Sequence, residues 1–384
     1  MKRGLTGHYL TISTVGETCR AFVPDPLPPK PPLQLSDSLH TLAQDAALAL
    51  GRLDALSALL PDPQIFLYSY VRKEAVLSSQ IEGTQSSLSD LLLFEAEATP
   101  GVPLDDVREV SNYVAALELG IVRMREGLPL SLRLIREIHA VLLRDGRGAG
   151  QSPGEFRRSQ NWIGGTRPGN ARHVPPPPDK VLDCMSALEK FLHGQPVALP
   201  VLIRAALAHV QFETIHPFLD GNGRLGRLLI VFLLHAEGVL RQPLLYLSLY
   251  FKQHRNRYYE LLQSVRLEGN WEEWIEFFLE GAIDVASGAV DTARRLLALF
   301  QQHQQQVRGI GRGTTSALRL LDHLQRQPVS TAPHAAAATG MTFNTAQNAF
   351  RSLANLGIVT IADERKYGKY YTYAGYLALL NRDA

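Results

Sequence analysis

One stretch limits the fold of this chain more tightly than any other: "HPFLDGNGRLGR", His216 to Arg227. It joins two apolar helical patterns, "LIRAALAHVQFETI" before it and "RLGRLLIVFLLHAEG" after it. The Gly221-Asn222-Gly223 turn between them must be sharp. Its backbone amides can form an anion-binding concavity, and a helix N-terminus at the same point favours anions again. Arg224 and Arg227 are three residues apart and therefore share one face of the second helix. Two guanidinium forks, free amides and a helix dipole make a polyphosphate cradle. Asp220 is a single carboxylate beside it, and Mg²⁺ takes one or two carboxylates plus substrate phosphates. His216 stands at the lip as a base that works near neutral pH.

The remaining chain reads as mainly α. Ser36 caps a helix to about Leu60, and Pro63 opens the next, through Glu82. Asp105 caps a helix to Glu126, and Ser131 caps another that Gly146 stops. Further helices are predicted over 179–193, 200–214, 224–237, 248–267 and 271–306. Residues 1–34 read as an irregular, extended Pro-rich arm. The Gly- and Pro-dense segment 146–180 carries "NWIGG" and "ARHVP", two strand-like pieces read as a hairpin on a functional loop. The chain has 384 residues, enough for two or three domains. The boundaries drawn are 1–34 arm, 35–127 N-terminal helices, 128–300 core, 301–312 linker and 313–384 C-terminal domain.

Formal net charge is +2, so no global field points to nucleic acid. Cys19 and Cys184 are far apart and in no metal or redox spacing, which fits a reducing cytosol. The start "MKRGLTGHYLTIS" lacks the apolar core of a signal peptide. The longest apolar run, "LLIVFLL", is too short to span a bilayer. A cytoplasmic protein without membrane association is expected.

"HPFLDGNGRLGR" resembles, at every defining position, the H-x-F-x-[DE]-G-N-G-R-x-x-R motif of Fic-domain proteins, and the resemblance extends from about residue 30 to 300. It implies a Fic-type helical core with a β-hairpin flap. Most Fic proteins move AMP from ATP to a Ser, Thr or Tyr hydroxyl of a protein and release pyrophosphate. By that resemblance His216 deprotonates the target hydroxyl and Phe218 packs inward. Asp220 binds Mg²⁺, while Asn222 and the amides of the Gly221–Gly223 loop hold the α-phosphate. Arg224 holds phosphates, Arg227 holds the γ-phosphate, and Leu225 and Gly226 complete the nucleotide-binding turn. The segment Asn161, Trp162, Ile163, Gly164 and Gly165 corresponds to the family's target-docking flap, whose strand edge can pair with an extended target. An adenine pocket is expected further on, around Tyr250, Gln253 and Tyr258.

The end of the second predicted helix poses a question of its own. Glu82 falls on the last turn, just before Gly83, where a carboxylate faces the negative end of the macrodipole at a cost of ~0.3–1 kcal/mol. "SSQIEG" resembles the [ST]-x-x-x-E-[GN] inhibitory motif of a Fic subset, with Ser78, Glu82 and Gly83 at its defining positions. The resemblance implies that Glu82 pairs with Arg227 and displaces the γ-phosphate. In some relatives the same glutamate helps remove AMP, which leaves a bifunctional AMP transferase/de-AMPylase open.

From Gly313 onward, three helical patterns and a hairpin form a winged helix-turn-helix layout. Asn344, Thr345, Asn348 and Arg351 face outward on its third helix as a recognition helix requires. Lys366 and Lys369 lie on the wing, where they could meet phosphate. Between Ile310 and Ala384 eight Lys and Arg stand against four Asp and Glu, a local basic excess. DNA is thus a candidate partner, and the alternative function is a DNA-binding regulator with a nucleotide-sensing core. A homodimer stays open.

Overall fold

The structure, a computed structural model, describes residues 2–59, 63–96, 102–146, 148–365 and 368–382. It is mainly helical. A hairpin, β1 (Gly7–Thr14) and β2 (Glu17–Pro24), precedes α1 (Asp37–Leu59), α2 (Pro63–Ile81), α3 (Leu88–Glu95), α4 (Leu104–Arg125) and α5 (Leu132–Leu142). After a long loop come α6 (Pro178–Leu192), α7 (Val201–Ile215), α8 (Asn222–Ala236), α9 (Ser248–Gln253), α10 (Arg255–Glu268) and α11 (Trp271–Arg308). The C-terminal part runs α12 (Thr314–Arg326), β3 (Val329–Thr331), α13 (Ala332–Thr339), α14 (Phe343–Asn355), β4 (Val359–Arg365), β5 (Gly368–Tyr373) and α15 (Ala374–Asn381).

The core is organised around α7. Every residue from Leu202 to Ile215 is buried, and a helix apolar all round must be enclosed on all sides. Helices α6, α8, α10 and α11 and strand β2 surround it. Helix α1 lies along α11, and α2 packs against α4 and α9 while touching α8. That last contact brings the C-terminal end of α2 to the start of α8.

The structure departs from the sequence reading in several places. Residues 7–24 are a paired antiparallel hairpin, not an irregular arm. Its turn is Val15-Gly16, both at positive φ, and a β-branched residue there carries none of the usual turn signal. Pro103, not Asp105, is the N-cap of α4. The predicted 248–267 helix breaks at His254, whose ψ of 34° leaves the helical range. The flap is one bridge, Ile163 with His173, rather than two strands. The 301–312 linker is helical to Arg308.

The C-terminal part holds an antiparallel sheet in the order β3-β5-β4. Ala346, Ala349, Phe350 and Leu353 bury one face of α14, and Phe350 stacks on Tyr371 at 4.0 Å. Leu356, which caps α14, is 37% exposed. This part is no detached appendix. The Tyr376 hydroxyl donates to Ile65 O (2.9 Å) and lies 3.0 Å from Ser69 Oγ, both on α2.

Candidate active site

The loop between α7 and α8 is built by its own polar groups. His216 closes α7 in a left-handed conformation (φ 48°), which ends the helix there. Phe218 is fully buried, with its ring stacked on His139 at 3.7 Å and tilted against Phe156. Asn222 locks the turn, its Oδ1 accepting from Phe218 N and its Nδ2 donating to Phe218 O, each at 2.9 Å. One Nδ2 hydrogen is thereby spent on the loop, which leaves the second, beside the backbone N–H groups of the first turn of α8 that have no intrahelical acceptor, for an anion. Gly221 supplies the positive φ of 76° at the cap.

Three residues without any sequence signal fix the loop from outside. Arg157 is buried and donates from Nε to His216 O (2.9 Å) and from Nη2 to Ile215 O and Pro176 O. His139 accepts from Gly154 N at Nδ1, so its Nε2 donates to Asp220 O at 3.0 Å. Burial pushes the His139 ring down to about 4 and keeps it neutral. Glu109, on α4, pairs with the buried Arg224 at 3.2 Å, and Arg224 also reaches Asp220 at 3.4 Å. None of these partners is near its target in sequence.

His216 faces a second carboxylate. Its Nδ1 lies 4.0 Å from Glu213 Oε2. Among the described residues the Nδ1 atom has no hydrogen-bond partner, and neither has Glu213 Oε1. Burial, then the Arg157 charge, pushes the His216 ring down to about 4. Burial pushes Glu213 the other way, up to about 7. At neutral pH His216 therefore carries a free lone pair, as a general base must.

Arg227 has two nitrogens engaged by the end of α2 and the residue that follows it. Its Nε donates to Ser78 Oγ (2.8 Å), and its Nη2 donates to Ser78 O (2.9 Å) and Glu82 Oε1 (2.7 Å). Arg255 of α10 donates to Ile81 O at 2.9 Å. Two arginines from other helices thus take the terminal carbonyls of α2, which has no basic residue in its own last turn. Burial raises the Glu82 carboxyl, but Arg227 outweighs it and the net shift is downward. Gly83 follows at φ 103° and ends the helix.

Asp220 is half-exposed at the cap of α8, its Oδ1 accepting from Gly221 N at 2.6 Å. Leu225 points into the core, and Gly226 gives α7 its close approach: a β-carbon there would lie 2.5 Å from Glu213 Oε1. Tyr250, read as an adenine contact, is buried against Gly281, His254 and Phe277. Aromatic residues at helical spacing on α9 and α10 fill the core, and Tyr258 does so too while bonding His209. Gln253 is exposed.

In the flap, Asn161 ties to the loop by donating to Phe218 O at 2.9 Å, and Trp162 Nε1 donates to Gly165 O. Ile163 makes the bridge, and Gly164 and Gly165 are exposed. On α14, Asn344, Asn348 and Arg351 are exposed and Thr345 is half-buried. Lys369 is exposed on β5, and Lys366 lies outside the described residues.

Residues 40–122 match the Fic/DOC family N-terminal model, and residues 129–234 match the Fic/DOC family model. The protein adenylyltransferase Fic of Culex quinquefasciatus is 33% identical over 204 residues, and that of Aedes aegypti 35% over 205. Each match covers 52% of this chain and 38% of the relative, so the chain spans well under half the length of these relatives. A crystal structure of a Fic family protein from Desulfovibrio desulfuricans G20 superposes with a TM-score of 0.59 at 20% identity, covering 89% of this chain and 98% of that one. That likeness is one of fold. No helix among the described residues is long and apolar enough to cross a membrane.

Proposed function

This chain carries the N-terminal region and the Fic domain of the Fic/DOC family, and from that premise we propose that it is a protein adenylyltransferase held in check by Glu82. It transfers AMP from ATP to a hydroxyl side chain of a protein, itself included. The observation that carries this reading is the convergence of a neutral His216, the amide turn of α8 and two buried arginines on one loop.

His216 takes the proton of the target hydroxyl, and the oxygen attacks the α-phosphorus. The bond from that phosphorus to the bridging oxygen breaks, and pyrophosphate leaves. The first-turn amides of α8 and Arg224 face the charge that builds on the phosphates. Asp220 fits Mg²⁺, being a lone half-exposed carboxylate beside that cradle, with substrate oxygens left to complete the shell. The ion would neutralise phosphate charge there. Phe218, Asn222 and Arg157 act as positioning residues that hold the loop.

Glu82 occupies the guanidinium that a third phosphate needs, and this contact supports the reading of Glu82 as an inhibitor. Exposed Asn348 and Arg351 on α14 support a second role for the C-terminal part, a winged helix that binds duplex DNA. Intact-mass measurement with ATP and Mg²⁺ tests the main proposal. Glu82→Gly is expected to gain AMP rapidly while wild type gains it slowly. No gain in either chain, alone or with a cell extract as target source, would sink it.

A further inference from the structure

A cavity of about 330 Å³ lies between the N-terminal hairpin, the flap loop and α10. Its polar lining includes Tyr9 and Arg20 from the hairpin, Arg172 from the flap, and Gln263 and Arg266 from α10. No carboxylate lines it. We propose that this cavity binds a compact oxyanion, a phosphate or a small phosphorylated or carboxylated molecule, and that the bound anion joins the hairpin to the flap.

The charge arrangement carries the proposal. Arg266 is only 9% exposed, and its Nε and Nη2 donate to the neutral Gln263 Oε1 at 3.2 and 2.7 Å. Among the described residues no carboxylate lies within ion-pair distance of Arg266, Arg20 or Arg172. A buried cation whose hydrogen bonds go to a neutral amide, with a carboxylate only at longer range, is expensive. The acids nearby are committed elsewhere. Glu17 at the hairpin tip accepts from Arg167 Nη1 (2.6 Å) and Gly169 N (2.8 Å). Glu268 and Glu260 line the adjoining cleft, which shares Arg172, Gln263 and Arg266 with the cavity; Glu268 pairs with Lys2, and exposed Glu260 lies 3.9 Å from Arg257. Glu213 faces Arg266 from the His216 side, outside the cavity lining. Burial accordingly pushes Arg266 down to about 10.

Chemistry and size narrow the ligand. Guanidinium forks favour oxyanions with several acceptor atoms. The volume sits at the small end of ligand sites, which suits phosphate better than a nucleotide. Arg20 is already held in place over the Tyr9 ring, 4.3 Å from its centroid. An occupant would add to the existing links between hairpin and flap, the Glu17 contacts and the Phe22 N to Val174 O bond of 2.8 Å.

Calorimetric titration of the full chain with inorganic phosphate, at ionic strength balanced by chloride, tests the site. Saturable binding is expected in wild type and in Arg227→Ala, which disables the catalytic cradle. The double variant Arg20→Gln/Arg172→Gln, at two exposed positions, should weaken binding at least tenfold with an unchanged melting temperature. Equal affinity in the double variant, loss of binding in Arg227→Ala, or no binding in wild type would each overturn the proposal. AMP transfer measured on the same samples reports on the catalytic reading independently.

Discussion

A β-carbon on Gly223 would lie 2.1 Å from Glu82 Oε1 and 3.2 Å from Arg227 Nη1. The glycine in the first turn of α8 is therefore also the space into which the Glu82 carboxylate fits. Gly223→Ala forces Glu82 off Arg227 and is expected to lower stability by about 1–3 kcal/mol. In a Glu82→Gly background the same change should cost much less. A double-mutant cycle by urea unfolding measures this, with a coupling of about 1–2 kcal/mol expected and additivity counting against the clash.

Ser78 offers Arg227 both its hydroxyl and its carbonyl. Ser78→Ala leaves Arg227 Nε buried and unpaired, at a cost of about 1–3 kcal/mol. The Glu82 bond remains. Auto-modification should therefore rise above wild type but stay below Glu82→Gly. Initial rates with labelled ATP rank the three chains.

His216→Ala in the Glu82→Gly background should abolish AMP transfer while nucleotide binding, followed by calorimetry, persists. In Glu82→Gly itself the rate should hold as pH falls from 8 to about 5, because the histidine titrates only near 4. Loss of activity centred on the usual histidine range would contradict the buried, neutral base.

Glu74 is fully buried on α2, with hydroxyls of Ser248 and Tyr113 donating to Oε1 and nothing on Oε2. Burial pushes its carboxyl up to about 7 from a reference of 4.5. The folded state then binds the proton more tightly than the unfolded chain, so this contribution is complete below 4.5 and is lost as pH rises through about 7. Glu74→Gln should flatten the stability profile between pH 5 and 7.5 by about 1–3 kcal/mol. Glu82 runs the other way: its lowered carboxyl stabilises above the reference value and loses that effect on acidification. Urea unfolding across pH 5 to 7.5 reads the Glu74 sign, and its extension below the 4.5 reference reads that of Glu82.

If α14 reads DNA, Arg351→Ala should weaken a duplex gel shift at every salt concentration, and the wild-type shift should fall steeply between low and moderate salt. A wild-type chain that shifts no duplex would point the exposed face toward protein instead.

What the sequence disclosed followed from locality. The α7–loop–α8 turn, the cap at Ser131 and the amphipathic face of α14 are each written within a few adjacent residues. The misplaced acid at the end of α2 was visible as well, because a terminal carboxylate conflicts with the helix dipole. Arg157, His139, Glu109 and Arg255 left no such trace, since each acts on a loop or helix end dozens of residues away. The Val15-Gly16 hairpin was hidden by its atypical turn residue, and Tyr250 by the inability of periodicity to distinguish a core ring from a base-stacking one.

Helix α2 is gripped at both ends by different parts of the molecule, Tyr376 near Ile65 and Ser69, and Arg227 at Ser78 and Glu82. From Ser69 to Glu82 a helix spans about 20 Å. The helix that presents Ser78 to Arg227 and leads into Glu82 is therefore a strut whose far end rests on the C-terminal part. A tilt of a few degrees there moves the carboxylate by more than an ångström, the scale on which a hydrogen bond to Arg227 is kept or lost. The C-terminal part and the Glu82–Arg227 contact are thus mechanically joined along one helix.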